Sequence, residues 1–512
     1  MTILSVQFFA FLLVLVAAYS LTPKRFRWVI LLIGSYAFYG LSNWKYLALI
    51  FFTTCQTFLA VRKLGRLNRY IKEDLKLIED KDARKAAKEA TIRKKKAVVT
   101  ITLLINFALL FFFKTTYMWM ETALILPLGI SFYTFQTVGY LIDVYRGQAE
   151  VESNFFKYAL FVSYFPQIIQ GPINRYKAIA PSLTEGNRIT WTNFRRGFGL
   201  FIWGMFKKLV ISDRAAIFVS SVWSGDLSDT AGSMILFSVF MFNLQLYTDF
   251  SGGIDMVSGV SQLFGIELAE NFRRPFFSKT LAEYWRRWHM SLGAWIKDYV
   301  FYPIAMSKMF AKIGKKAKAH FGVHIGKTLP GAITSVITFV MIGLWHDITI
   351  PYVLYGVWHG LIMGLSTMFE PLFTKFNTFF EVDPECLSHR WFQRARTFLL
   401  VTFGEYFSLA AGFGILVTIF KRTFFDFEYS ALYLQFTDYG LDNKDWFVLL
   451  MATFVLIFVS MKQESGVRIR EALEKQELWF QWAATLGLIF VIMIFGIYGP
   501  GYDAASFIYG GF

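Results

Sequence analysis

Apolar runs long enough to approach the width of a bilayer recur from one end of this chain to the other. A hydrocarbon core of about 30 Å takes roughly 20 apolar helical residues, and such stretches begin at Ile3 and are still arriving at Phe480. The runs are continuous, without strand-like alternation. That excludes a β-barrel and leaves helices as the way to satisfy every backbone group inside lipid. Composition agrees, since 17% of the residues are charged where a soluble chain carries about 25%. The expected fold is all-α, a polytopic helical membrane protein.

Candidate spans cover 3–21, 28–41, 46–61, 97–113, 123–142, 155–169, 197–222 and 234–263, then 333–345, 352–368, 398–420, 446–461 and 480–498. Several are short or carry polar interruptions, which predicts about eleven to thirteen membrane segments, some of them re-entrant or interfacial. The first lacks a basic leader, and its basic cluster Lys24-Arg25-Phe26-Arg27 follows it. It is therefore expected to be a retained span and not a cleaved signal.

The net charge of +16 would point to nucleic acid in a soluble protein. Here the basic residues gather between the spans, which the positive-inside rule explains, so membrane lipid and not nucleic acid is the expected environment. Two basic stretches, 62–96 and 306–327, are expected to be cytoplasmic loops, with the N-terminus outside and a solvated surface helix over 73–90. An odd number of candidate segments separates the two, so one must be re-entrant or a further segment must cross near His289. The organisation reads as N-terminal spans (1–61), a basic cytoplasmic loop (62–96), a membrane core (97–370), and C-terminal spans with an aromatic tail (371–512). Cys55 and Cys386 build neither a disulfide framework nor a metal site.

Ionisable residues at membrane depth are functional candidates by default. His346 ends the apolar stretch closing Gly343-Leu344-Trp345-His346, and His289 lies in Tyr284-Trp285-Arg286-Arg287-Trp288-His289. Asp347 follows His346 and could orient its ring, but neighbours on a helix do not face each other, so the helix would have to end there. Pro351 supports such an end. His359, beside Trp358, is expected to pack within its span, and His320, His324 and His389 to be solvated in or near loops. Asp249 and Asp255 are carboxylates in an apolar span. They line a polar tunnel, or they pair with Arg273, Arg286 or Arg287. The region around Trp285 and Trp295 reads as an interfacial helix whose arginines reach for headgroups. His320 and His324 have metal-ligand spacing, but their loop is basic and no glutamate lies between them, so no metal is expected. Gly326-Lys327-Thr328 belongs to a loop one residue too short to cradle nucleotide phosphates, and no serine nucleophile elbow occurs.

Many motifs follow one another in an order that resembles the membrane-bound O-acyltransferase family, bacterial alginate-acetylation branch. They include Leu126-Pro127-Leu128-Gly129-Ile130-Ser131-Phe132-Tyr133-Thr134-Phe135-Gln136, Asp143-Val144-Tyr145-Arg146, Phe165-Pro166-Gln167, and Gly171-Pro172-Ile173-Asn174-Arg175-Tyr176. Gly204-Met205-Phe206-Lys207-Lys208, Tyr247-Thr248-Asp249-Phe250-Ser251-Gly252, Glu270-Asn271-Phe272, Trp288-His289-Met290-Ser291-Leu292 and Gly343-Leu344-Trp345-His346 continue the series. The resemblance runs from about residue 1 to 370, and Phe507-Ile508-Tyr509 fits the same branch. It implies a helical bundle around a membrane-crossing tunnel with two histidines near its narrow point, here His289 and His346, and a multi-pass protein of the bacterial cytoplasmic membrane. The related D-alanyl transfer proteins of teichoic acid modification share both histidines. One departure stands out: the alginate branch usually has glycine where this chain has Asp347.

The resemblance further implies transfer of an acyl group, most simply acetyl, from a cytoplasmic thioester, acetyl-CoA or an acyl-carrier protein, with no tightly bound cofactor. The acceptor would be a hydroxyl of an exported polysaccharide or teichoic acid, reached directly or through an extracytoplasmic acyltransferase partner. His346 would serve as general base, and His289 would position the thioester or support the second half of the reaction. Asp249, Asn271, Arg286, Arg287, Trp285 and Trp345 would shape the polar path or bind substrate. Rival readings are D-alanyl transfer, a lipid acyltransferase, and a transporter with a His/Asp proton relay.

Overall fold

A computed structural model describes residues 2–118, 120, 126–498 and 507, and these are helical almost throughout, with no strand among them. The start of the 123–142 candidate span and most of the aromatic tail lie outside the described residues. Among the described residues five helices are long and apolar enough to cross a membrane unaided: Trp44–Leu77, Lys81–Thr115, Lys308–His346, Asn443–Glu464 and Leu478–Phe495. Other apolar runs fold as shorter pieces. The 155–169 run is broken at Tyr164 into Phe155–Ser163 and Phe165–Gln170, and at about 1.5 Å per residue neither piece crosses alone. The 197–222 run holds a π-helical turn at Phe206–Ser212, and the 398–420 run is split between Leu387–Leu409 and Phe413–Phe425.

The chain divides into two compact units. Among the described residues, the first takes in those up to 201, 253–269 and 507. Ser5 caps the helix Val6–Leu21 through the Phe8 N–H. Phe8, Phe11, Phe38 and Phe165 pack ring against ring with centroids 5.5–6.5 Å apart. The stretch 62–96, expected as a loop, belongs mostly to the helices Leu47–Lys72 and Lys81–Thr115. Only 73–80 joins them, so the expected surface helix over 73–90 is interrupted there. Lysine and arginine are good helix formers wherever a helix outruns the hydrocarbon, and that is the reason for the difference. Elsewhere in this unit three polar motif residues meet in its interior. Gln136 donates to Gln167 Oε1 at 2.8 Å, Asn174 donates to the same oxygen at 3.1 Å, and Asn174 Oδ1 accepts the Ala269 N–H.

The second unit comprises the described residues 202–252 and 270–498. Its centre is an antiparallel pair, Lys308–His346 and Ile350–Met368, joined by a three-residue turn. A seam of glycines lets the two backbones touch. A Cβ at Gly343 would stand 2.0 Å from the Tyr352 carbonyl, one at Gly356 2.4 Å from that of Phe339, and one at Gly360 2.5 Å from Val336 Cα. Small residues four apart are the usual means of such close approach between membrane helices. The basic stretch 306–327 is helix as well, not loop, folded back on itself at Gly322, whose φ is 85°. Its lysines face outward while Phe310, Gly314 and Ala317 turn inward. His324, expected to be solvated, instead bonds the Met368 carbonyl at 3.1 Å.

Candidate active site

His346 is the last residue of its helix. Asp347 caps the end with extended backbone, and Pro351 starts the next helix. The helix thus ends where direct approach of Asp347 required it to, yet Asp347 Oδ1 accepts the Ile348 N–H at 2.8 Å. The half-buried imidazole lies among aromatic rings. Tyr352 stacks on it at 5.8 Å and 17°, Trp345 meets its edge at 4.7 Å, and Tyr355 approaches at 6.5 Å. The turn therefore presents a titratable ring in an aromatic frame held by the glycine seam.

His289 is held differently. It joins the short helices Leu281–Arg287 and Met290–Ile296 in a left-handed conformation, φ 43° and ψ 53°. Such backbone costs a residue with a side chain about 1–2 kcal/mol. Two backbone bonds clamp the strained turn: Met290 N–H to the Asn271 carbonyl and Arg273 N–H to the Arg287 carbonyl, both 2.9 Å. The side chain is buried, and its Nδ1 lies 3.1 Å from Asn271 Oδ1. The same oxygen accepts the Ser291 N–H at 3.1 Å and the Ser291 hydroxyl at 2.8 Å. A carbonyl oxygen only accepts, so Nδ1 carries the proton and Nε2 becomes the acceptor nitrogen of the neutral ring. Phe250 meets the ring edge-on at 4.9 Å. Asn271 thus orients His289.

The remaining sequence candidates fall into distinct places. Asp249 is fully buried and pairs with Lys208 at 2.7 Å, and Lys208 also takes Asp213 at 2.8 Å. The ion-pair reading of Asp249 is realised with a lysine and not with the arginines proposed for it. Arg287 bonds Glu464 and Glu283, and Arg274 shares Glu464, which ties the His289 segment to the end of Asn443–Glu464. Arg286 points outward, exposed. Trp285 donates its indole N–H to His359 Nδ1 at 3.4 Å. Trp345 lies against His346. Among the described residues no three His, Cys, Asp or Glu side chains gather as a metal site.

The sequence reading passed over Glu405, and for His359 it expected packing within its span without the partners that hold it. His359 does not simply pack beside Trp358. Trp358 turns to the Leu400 carbonyl, while His359 lies against Tyr355 and Trp285. The repeated pair Trp345-His346 and Trp358-His359 was the available signal. Glu405 is buried on Leu387–Leu409, bonded to Ser408. A lone acid inside the apolar 398–420 run was the mark it left.

A model of the membrane-bound O-acyltransferase family matches residues 148–409, about half of the chain, and that region holds both histidine arms. A probable alginate O-acetylase of Pseudomonas syringae is 29% identical over 361 residues, 67% of this chain and 64% of that one. The match thus spans a little under two thirds of that relative's length. A peptidoglycan O-acetyltransferase of Helicobacter pylori is 28% identical over 55% of this chain and 58% of its own. A teichoic acid D-alanyltransferase of Bacillus subtilis is 28% identical over 54% and 67%. On the family match, this chain belongs to the membrane-bound O-acyltransferase family.

Proposed function

We propose that this protein transfers an acetyl group from a cytoplasmic thioester, acetyl-CoA or an acyl-carrier protein, towards hydroxyls of an exported or cell-wall polysaccharide. An extracytoplasmic acyltransferase partner would complete the transfer where the polymer itself is not the first acceptor. The observation that carries this reading is the pair of histidine arms inside the family-matched region, one of them held by Asn271 in a defined tautomer. Acyl transfer from a thioester needs a base for the attacking hydroxyl and a proton for the departing sulfur. In the proposed step His346 takes the hydroxyl proton, the oxygen bonds to the acyl carbon, the carbon–sulfur bond breaks, and the proton passes to the thiolate. His289, with Nε2 as acceptor, supports the thioester or the second half of the transfer. Trp285 and Trp345 would line the path beside the rings, and Arg286, the exposed cation of the Trp285 helix, would meet an anionic donor. Asp249, paired with Lys208, would shape the wall of that path.

D-alanyl transfer from a carrier protein is the second reading, supported by the Bacillus subtilis relative. Inverted membrane vesicles given radiolabelled acetyl-CoA should accumulate alkali-labile ester label. Label that stays unattached would point to transport, and attachment only from a D-alanyl thioester would favour the second reading. Loss of surface esters in a strain lacking the protein identifies the polymer.

A further inference from the structure

His359 is fully buried on Ile350–Met368, and four helices close around it. From Leu281–Arg287, Trp285 meets its ring edge-on at 5.1 Å and donates the indole N–H to Nδ1. From its own helix, Tyr355 lies 4.6 Å away and in turn touches His346. Phe339, on Lys308–His346, stacks at 6.0 Å and also packs on Trp285 at 5.0 Å. On Leu387–Leu409, Gly404 leaves room for the imidazole, since a Cβ there would stand 2.6 Å from Nε2.

An indole N–H can only donate. Nδ1 is therefore the acceptor, and in the neutral ring Nε2 carries the proton over the Gly404 notch. Nε2 has no hydrogen-bond partner among the described residues. A buried polar atom left so is costly, and an apolar ring would fill the space without that cost. What a leucine or phenylalanine could not provide is an acceptor for the Trp285 N–H. Trp285 lies four residues before His289, on the helix that runs directly into the left-handed turn.

We propose that His359 is a positioning residue of the acyl-transfer site. It ties Trp285, and with it the short helix leading to His289, to the hairpin whose turn carries His346. The inference rests on the acyltransferase reading above. Register between two groups acting on one substrate is sensitive, and a displacement of about 1 Å can cost as much as about 100-fold in rate.

The test uses native-membrane vesicles holding the full-length chain, radiolabelled acetyl-CoA as donor and ester-linked label as readout. His359→Leu removes the acceptor, Trp285→Phe removes the donor while keeping a ring, and His359→Asn returns an acceptor close to the Nδ1 position. His359→Leu and Trp285→Phe should lower kcat by about 10- to 100-fold with KM for acetyl-CoA within about twofold of wild type. His359→Asn should recover most of the rate, and the double variant His359→Leu/Trp285→Phe should be no worse than either single change. Each rate is taken per folded protein, from detergent melting of the same membranes. A wild-type rate in His359→Leu, or an Asn variant as slow as the Leu variant, overturns the proposal. His346→Ala in the same assay separates the two readings. If it transfers ester normally the acyltransferase site is wrong, whereas a dead His346→Ala beside a fully active His359→Leu refutes the positioning role alone.

Discussion

At the scale of single residues the two histidines are held differently, one among aromatic rings at a helix end and one bonded to an amide. If His346 is the general base, His346→Ala should lower ester transfer by about 10²–10⁴-fold while the protein still inserts and folds. His320→Ala, on an exposed helical face, should be silent. Normal surface acylation in a well-expressed His346→Ala strain would return His346 to a structural role. Asn271 gives a sharper structural expectation. Its Oδ1 collects three donors, from His289 and Ser291, and Asn271→Ala leaves them without that acceptor in a buried place. The loss should be at least about 1–3 kcal/mol, read as a lowered melting midpoint in detergent together with lost transfer. An unchanged midpoint would mean that water or another side chain replaces the amide. His289 and His346 were legible in the sequence because titratable rings stand at the edge of apolar or aromatic runs, and Asn271 through the motif Glu270-Asn271-Phe272. The bond between His289 and Asn271 was not, since it joins positions eighteen residues apart through space.

At the scale of elements, the glycine seam between Lys308–His346 and Ile350–Met368 sets where Tyr355, His359 and His346 stand. Gly356→Val would drive a branched side chain into the Phe339 carbonyl, 2.4 Å from its Cβ position. Overpacking typically costs about 1–3 kcal/mol, and a backbone neighbour cannot swing aside, so Gly356→Val should sharply reduce folded yield in the membrane. Folded yield equal to wild type would show that the helices can separate. The Glu464 clamp makes a second case. Arg287 and Arg274 both reach it with bonds of 2.7–3.1 Å, and its side chain is 21% exposed. Glu464→Gln takes the shared carboxylate from both guanidiniums, leaving Arg287 with Glu283. Breaking a fully buried pair costs about 3–5 kcal/mol, and partial exposure reduces that, so a clear but smaller drop in melting midpoint is expected. Helix ends were the least legible feature. Dense lysines made 62–96 and 306–327 read as loops, although charge marks where the hydrocarbon stops and not where a helix does.

At the scale of the molecule, class and family followed from apolar runs and motif order, whereas the form of each run did not. The break at Tyr164, where Pro166 opens the next helix, and the π-helical turn at Phe206–Ser212 are features that hydropathy does not register. Orientation is the global property that still depends on charge. The helices Leu47–Lys72 and Lys81–Thr115 gather their basic residues at the connected end, around the exposed Lys76, and the folded-back helix up to Gly322 exposes Lys312, Lys315 and Lys316. Each lysine near the helix centre of a span would be penalised by about 2.5–3.5 kcal/mol, so both ends must lie in water. Charge bias assigns that water to the cytoplasm and the N-terminus to the outside. In a chain with Cys55 and Cys386 changed to serine, a single cysteine at Lys76 or at Lys312 should resist an impermeant thiol reagent in intact cells and react in inverted vesicles. The two positions test separate steps. Reaction at Lys76 from outside would reverse the entire N-terminal half. Reaction at Lys312 alone would mean that the chain crosses the bilayer an odd number of times between the two basic ends, as the candidate segments count directly, and neither a re-entrant segment nor a further crossing near His289 would then be needed.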